Sequence, residues 1–215
     1  MITKLKKALS FKVERLSKAI PLLTLLFSWS PIYCVSSSII PVEFYWHPAH
    51  LAPLSDQEEM KEVFIQSFLA TYRYSGAYQD QSDEAIQNYL AKDFEKILRP
   101  NLHAEKPQRF LAAKINEKLV GYAVFEKIDA ETIYIAELAL MPEIWRQGLG
   151  RKMTFAILDK EPTARRIVLV TERINILSQR FYTSLGFKPS SYRHDGYADE
   201  AYCSFEKTIC PALLD

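Results

Sequence analysis

From residue 41 onward two hydrophobic periods follow one another along the chain, and their order predicts a fold. Residues 42–46 alternate apolar and polar and run into His47-Pro48, the pattern of a short edge strand. Ser55-Asp-Gln-Glu58 has the form of a capping box. Met60, Val63, Phe64, Ser67, Phe68 and Tyr72 then recur at helical spacing. After a polar link around Gly76, Ser82 predicts the cap of a second helix. Its buried face is Ile86, Tyr89, Leu90, Phe94 and Ile97, and Pro100 ends it. Residues 110–113 and 119–128 read as strands around the turn Asn116-Glu117-Lys118, with a third strand over 132–140. Leu149, Met153, Ala156 and Ile157 mark a helix over 148–160. Residues 166–171 carry Ile-Val-Leu-Val, apolar on both faces, as a central parallel strand requires. A helix over 175–185 follows, with Gly186 placed as its left-handed cap. Residues 197–208 pair as a strand with the segment after Phe187. The predicted order is βααβββαβαββ, a single α/β domain with a mixed sheet over residues 41–211, containing a right-handed strand–helix–strand crossover.

Composition narrows the class. With 48% hydrophobic and 25% charged residues in 215, the chain is neither disordered, collagenous nor a coiled-coil rod. The three cysteines, Cys34, Cys203 and Cys210, are too few and too irregular for a disulfide framework or a cysteine-based zinc site. His47 and His50 flank Pro48-Ala49 without a further ligand set, so no metal is expected. The net charge of +1 divides unevenly: residues 1–18 carry +5 and the remainder −4. A mildly acidic body with no basic stripe excludes a nucleic-acid binder.

Residues 1–40 form a basic segment with a short apolar stretch ahead of the domain, and residues 212–215 a C-terminal tail. Basic residues, an apolar run at 22–27 and then serines follow the order of an export signal. The run is short of the ~20 residues of a membrane span and is bracketed by Pro21 and Pro31. Leu5, Leu9, Leu16 and Ile20 also fit a basic helix lying on an anionic membrane surface, a peripheral contact. Export signal, surface anchor and plain tail all stay open.

The candidate chemistry lies in residues 135–153. A strand ends at Pro142, a helix begins near Gly148, and two of the six glycines, Gly148 and Gly150, occupy the junction. A glycine turn feeding a helix N-terminus forms an anion cradle suited to a pyrophosphate, and Arg146, Arg151 and Lys152 add positive charge there. No Gly-Lys-Ser/Thr follows, so the turn is no Walker loop, and the third glycine of a dinucleotide fingerprint is missing.

Downstream, Asn175, Ser178, Tyr182, Gly186 and Phe187 repeat a second spaced pattern. Together with Trp145-Arg-Gln-Gly148-Leu-Gly150, it resembles the GNAT family of acetyl-CoA-dependent N-acetyltransferases, over about residues 41–211. Trp145 departs from the family's usual Arg or Gln, Ser178 from its commoner Ala, and residues 1–40 lie outside its pattern.

The resemblance implies that acetyl-CoA is the co-substrate and that no covalent enzyme intermediate forms. Its pyrophosphate would rest on Arg146, Gln147, Gly148, Leu149, Gly150 and Arg151. Its pantetheine arm would pair with Leu138, Ala139, Leu140 and Met141, where two parallel strands splay, and Asn175 would cap its helix and reach the same arm. Glu137, expected on one strand face with Ile133, Ile135 and Ala139, is the candidate general base. Tyr182 is the candidate acid, since a phenol keeps its proton at neutral pH. Tyr72, Tyr74, Tyr192 and Tyr197 are candidate acceptor-site residues, the acceptor being a small-molecule amine or a peptide or protein amine. Cys203 and Cys210 are expected to be buried and inert. The alternative is a non-catalytic acyl-CoA-binding or interaction module that keeps the fold, which Trp145 and the N-terminus motivate. Function favours a cytoplasmic or membrane-associated location on the side where acetyl-CoA is made, whereas the N-terminus suggests export. Oligomeric state is not legible.

Overall fold

A computed structural model describes residues 41–98, 108–197 and 199–209. The readings made on residues 1–40, Pro100, Cys210 and the C-terminal tail lie outside the described residues. The elements are β1 (Glu43–Pro48), α1 (Leu54–Ser75), α2 (Asp83–Asp93), β2 (Arg109–Ile115), β3 (Lys118–Lys127), β4 (Thr132–Leu140), α3 (Leu149–Lys160), β5 (Arg166–Glu172), α4 (Ile176–Ser184), β6 (Lys188–Ser190) and β7 (Tyr202–Thr208). Their order is the predicted βααβββαβαββ. The seven strands form one mixed sheet in the order β1-β2-β3-β4-β5-β7-β6. Only β4 and β5 run parallel.

Alternation along the strands divides the core into two layers, because successive side chains leave a strand on opposite faces. Phe110, Tyr122, Val124 and Ala139 pack with Met60, Val63, Phe64 and Tyr72 of α1 and Ile86 and Leu90 of α2. Leu111, Phe125, Ile133, Ile135, Ile167 and Leu169 pack on the other face with Leu149, Met153 and Ile157 of α3 and Tyr182 of α4. Strands β2 to β5 are therefore apolar on both faces.

The helix ends follow local chemistry. Ser82 Oγ accepts from the Ala85 amide (3.2 Å) and caps α2 as predicted. Gly186 has φ 83° after α4, the left-handed cap read from the sequence. The capping box at Ser55 is overturned. Pro53 occupies the cap position, α1 starts at Leu54, and Ser55 falls inside the first turn with its hydroxyl 3.4 Å from Asp56 Oδ1. Asp56 there is buried and paired with Lys114 Nζ at 2.7 Å. Tyr89 lies half-exposed at the rim of the α2 face. The last strand begins at Tyr202, since Asp195–Tyr197 forms a 3-10 turn.

Candidate active site

Strands β4 and β5 pair only from Thr132↔Arg166 to Ile135↔Leu169. Beyond that point both continue, to Leu140 and Glu172, without pairing to each other. Their facing backbone groups have no ladder partner, and a buried, unpaired peptide group is costly. The gap holds two cavities. The larger, about 470 Å³, runs from Leu138 and Leu140 over the start of α3 to the side of α4. The smaller, about 190 Å³, lies between 135–138 of β4, 169–172 of β5, α1 and the end of α2. Ser67, Thr71, Leu138, Asn175, Ser178 and Tyr182 line both, so the two meet at these residues.

The floor of the larger cavity is the predicted glycine turn. Arg146 and Gly148 have φ values of 61° and 82°, which curls successive amides to one side as in an anion nest. The first amide bonded within α3 is that of Lys152, to Gly148 O at 3.0 Å. The earlier helical amides thus have no partner in the helix, and the helix dipole adds positive potential beside them. A Cβ on Gly148 would meet nothing within 4 Å, so this stretch of backbone faces open space. Gly150 serves packing instead: a Cβ there would stand 3.1 Å from Phe181 and 3.3 Å from Leu140. Arg146, Gly148, Leu149, Gly150 and Arg151 line the cavity. Gln147 turns away, its amide nitrogen donating to Glu143 O at 3.0 Å. Free amides, an unobstructed glycine and exposed arginines fit a diphosphate-bearing ligand, and the unpaired edge of β4 fits an extended amide arm.

Trp145 Nε1 donates to Leu140 O at 2.8 Å and so ties the turn to the end of β4. Asn175 Oδ1 accepts from the Ser178 amide at 2.8 Å and caps α4 at the junction of the cavities. Ala139 and Met141 turn their side chains to the α1 layer.

A bulge sets the position of Glu137. Val124 pairs with Glu137 but Phe125 with Ile135, so Ala136 is an extra residue in β4. The side-chain order reverses there. Ile133 and Ile135 face α3, whereas Glu137 follows Ala136 and precedes Ala139 toward α1 and the smaller cavity. The expectation of one face shared with Ile133 and Ile135 is thereby corrected. Glu137 is partly accessible from the cavity and otherwise surrounded by protein, and this burial raises its pKa to about 8. The negative charge of Glu172 pushes the same way, and the Leu138 amide, bonded to it, pulls back. Burial also raises Glu172, partly offset by the hydroxyl of Tyr72 donating to it. Tyr182 is 6% exposed, and burial, reinforced by Glu137, holds its hydroxyl well above the ordinary phenol range.

Of the acceptor candidates, Tyr72 and Tyr197 line the smaller cavity. Tyr74 lines the larger one and accepts from Arg180 at 2.8 Å. Tyr192 lines neither and packs on Tyr134 at 5.8 Å between ring centres. Asp93, Glu172 and Tyr202, which no motif singled out, complete the small cavity's polar wall. Cys203 is half-buried, its thiol 3.6 Å from Thr171 O and raised in pKa by burial. Among the described residues no group of three or more His, Cys, Asp or Glu is arranged to hold a metal ion, and no helix is long and apolar enough to cross a membrane.

Known proteins resemble this chain in sequence and in fold. N-alpha-acetyltransferase 30 of Schizosaccharomyces pombe is 35% identical over 121 residues, which make up 53% of this chain and 80% of that protein. PaiA N-acetyltransferase of Thermoplasma acidophilum, solved in complex with coenzyme A, superposes with a TM-score of 0.59 at 21% identity, over 79% of this chain and 99% of that one. An acetyltransferase of Thermus thermophilus has the same fold at a TM-score of 0.53 and 16% identity, over 78% and 97% of the two chains. The profile of the acetyltransferase (GNAT) family matches residues 71–187, more than half of the chain. This chain thus belongs to the GNAT family and is an acyl-transferring enzyme.

Proposed function

We propose that the enzyme moves the acetyl group of acetyl-CoA to a primary amine by direct attack. One observation carries the reading: two cavities, one floored by an anion nest and one walled by carboxylates, meet at Tyr182. Acetyl-CoA is the co-substrate and supplies an acyl group activated as a thioester. The amides between Arg146 and Arg151 hold its diphosphate, and the free edge of Leu138 to Leu140 aligns its arm. Asn175 fixes the start of α4, so Tyr182 is positioned from a rigid helix. The acceptor amine enters through the smaller cavity, past Tyr72 and Tyr197. Glu137 takes a proton from it, a role that suits a carboxylate whose pKa of about 8 lies near neutral pH. Tyr182 gives its proton to the departing sulfur, and its raised pKa keeps that proton in place beforehand. Similarity to an N-alpha-acetyltransferase supports peptide and protein amines as acceptors alongside small ones. The reading also places the protein on the side of the membrane where acetyl-CoA is made.

Calorimetry of the full-length protein with acetyl-CoA tests the first step, and thiol release with a panel of amines the second. Binding tighter than about millimolar is expected, with turnover that falls about a hundredfold or more in Tyr182→Phe and in Glu137→Gln. Absence of binding in that range sinks the reading, and unchanged turnover in both variants sinks the two roles.

A further inference from the structure

The smaller cavity is more acidic than the deprotonation of one amine requires. Glu137 reaches it from β4, Glu172 from the end of β5 and Asp93 from the end of α2. Among the described residues, no lysine, arginine or histidine lines it. None of the three carboxylates is ion-paired among those residues. Glu172 accepts from the Tyr72 hydroxyl, yet its Oε2 is buried with no hydrogen-bond partner among them. Two of the other buried acids are held by ion pairs. Asp56 is paired with Lys114, and Glu161 with Arg109 and Lys127. Burying an unpaired carboxylate is costly, and the cost falls when a cation meets it. Tyr72, Tyr197 and Tyr202 line the same wall, and tyrosine rings favour a cation too.

We propose that the acceptor is a primary amine carrying a second positive charge a few bonds from the reacting nitrogen, and that Glu172, with Asp93 beside it, holds that second charge. The inference rests on the acetyl-transfer reading above and names the substrate class of the same site. The protons balance with Glu137 alone as base. The reacting nitrogen enters as an ammonium and gives up two protons, one to solvent through Glu137 and one replacing the proton that Tyr182 passes to sulfur. The nitrogen–carbon bond forms as the carbon–sulfur bond breaks. The second cation stays on Glu172 and leaves with the product. A free diamine has this chemistry, and so does a polypeptide that begins with lysine or arginine.

The test uses the full-length protein, acetyl-CoA, putrescine against n-butylamine, and short peptides beginning with Lys against Leu. The expected result is a kcat/KM at least about thirtyfold higher for the dicationic member of one pair, as loss of a buried charge partner implies. Which pair shows it separates the two sources. In Glu172→Gln that ratio should fall to within about threefold, with acetyl-CoA still bound by calorimetry as the check on folding. Equal turnover of the members of both pairs overturns the inference while leaving acetyl transfer standing. A ratio that survives in Glu172→Gln also overturns it. Failure to bind acetyl-CoA removes the functional reading and this inference together.

Discussion

Glu137 and Glu172 stand on neighbouring strands past the point where these pair; burial raises the pKa of both, and the charge of Glu172 raises that of Glu137 further. Their coupling sets a pH dependence whose sign is fixed. Glu137 acts as a base only when deprotonated, so kcat/KM should rise with pH and level off above an apparent pKa of about 8. Glu172→Gln removes a neighbouring negative charge and should move this limb to lower pH. Glu137→Gln should abolish it. The same shift bears on stability in the opposite sense. The folded pKa lies above the ordinary carboxyl value of 4.5, so the native state binds more protons than the unfolded chain between 4.5 and about 8. Stability from this group is therefore present below that window and lost as pH rises through it. Glu137→Gln should accordingly raise the thermal midpoint relative to wild type on the alkaline side of the window. A pH–rate profile and a pH series of melts, each on the same three proteins, check both signs. A limb that stays put in Glu172→Gln contradicts the coupling.

At the scale of elements, the site is made by two interruptions of regular structure, the bulge at Ala136 and the turn at Arg146–Gly148. They were not equally legible. The turn announces itself in a chain with six glycines, and its strand and helix neighbours have strong periods. The bulge carries no glycine or proline, only Ile-Ala-Glu in the middle of an unbroken strand pattern. Simple alternation therefore puts Glu137 on the wrong face. Glu172 lies one residue past the strand predicted over 166–171, and Asp93 falls off the apolar face predicted for the second helix, so neither stands out until the fold brings both to one cavity. Trp145 looks like a motif defect in sequence and proves to be a hydrogen-bonded tie to Leu140 O. Gly148→Ala separates the turn's two duties. Its φ of 82° makes any side chain strained, at roughly 1–2 kcal/mol, while its open surroundings mean no clash in the free protein. The added methyl projects toward the space assigned to the diphosphate. Binding of acetyl-CoA should therefore weaken by about tenfold or more, about 1.4 kcal/mol of binding free energy, which lost stability alone does not cause while the protein stays folded. Calorimetry beside a denaturant melt distinguishes the two effects. A destabilised variant with wild-type affinity would mean that the nest does not hold the ligand.

Over the molecule as a whole, the sheet is two pieces joined along a short seam. Strands β1 to β4 form one antiparallel piece and β5, β7 and β6 another, and β4 and β5 pair at four positions only. Past that seam, the two pieces face each other across the cavities, with α1 and α4 packed at the opening. A ligand lying along the free edge of β4, with its diphosphate on α3 and its thioester beside Tyr182, bridges both pieces and replaces the missing ladder. Binding to the native state alone then adds stability by mass action, about 2.7 kcal/mol at a hundred times the dissociation constant. For a domain of this size, each kcal/mol raises the midpoint by about 2–4 °C. An increase of about 5–10 °C is therefore expected with saturating acetyl-CoA. The gain should also be localised. Amide exchange should slow most at 137–140, at 170–172 and at 146–151, where backbone groups gain partners, and least in β1 and β2, which are already paired and lie away from the cavities. Uniform protection, or a rise in midpoint with exchange at the seam unchanged, would place the ligand somewhere other than the gap between β4 and β5.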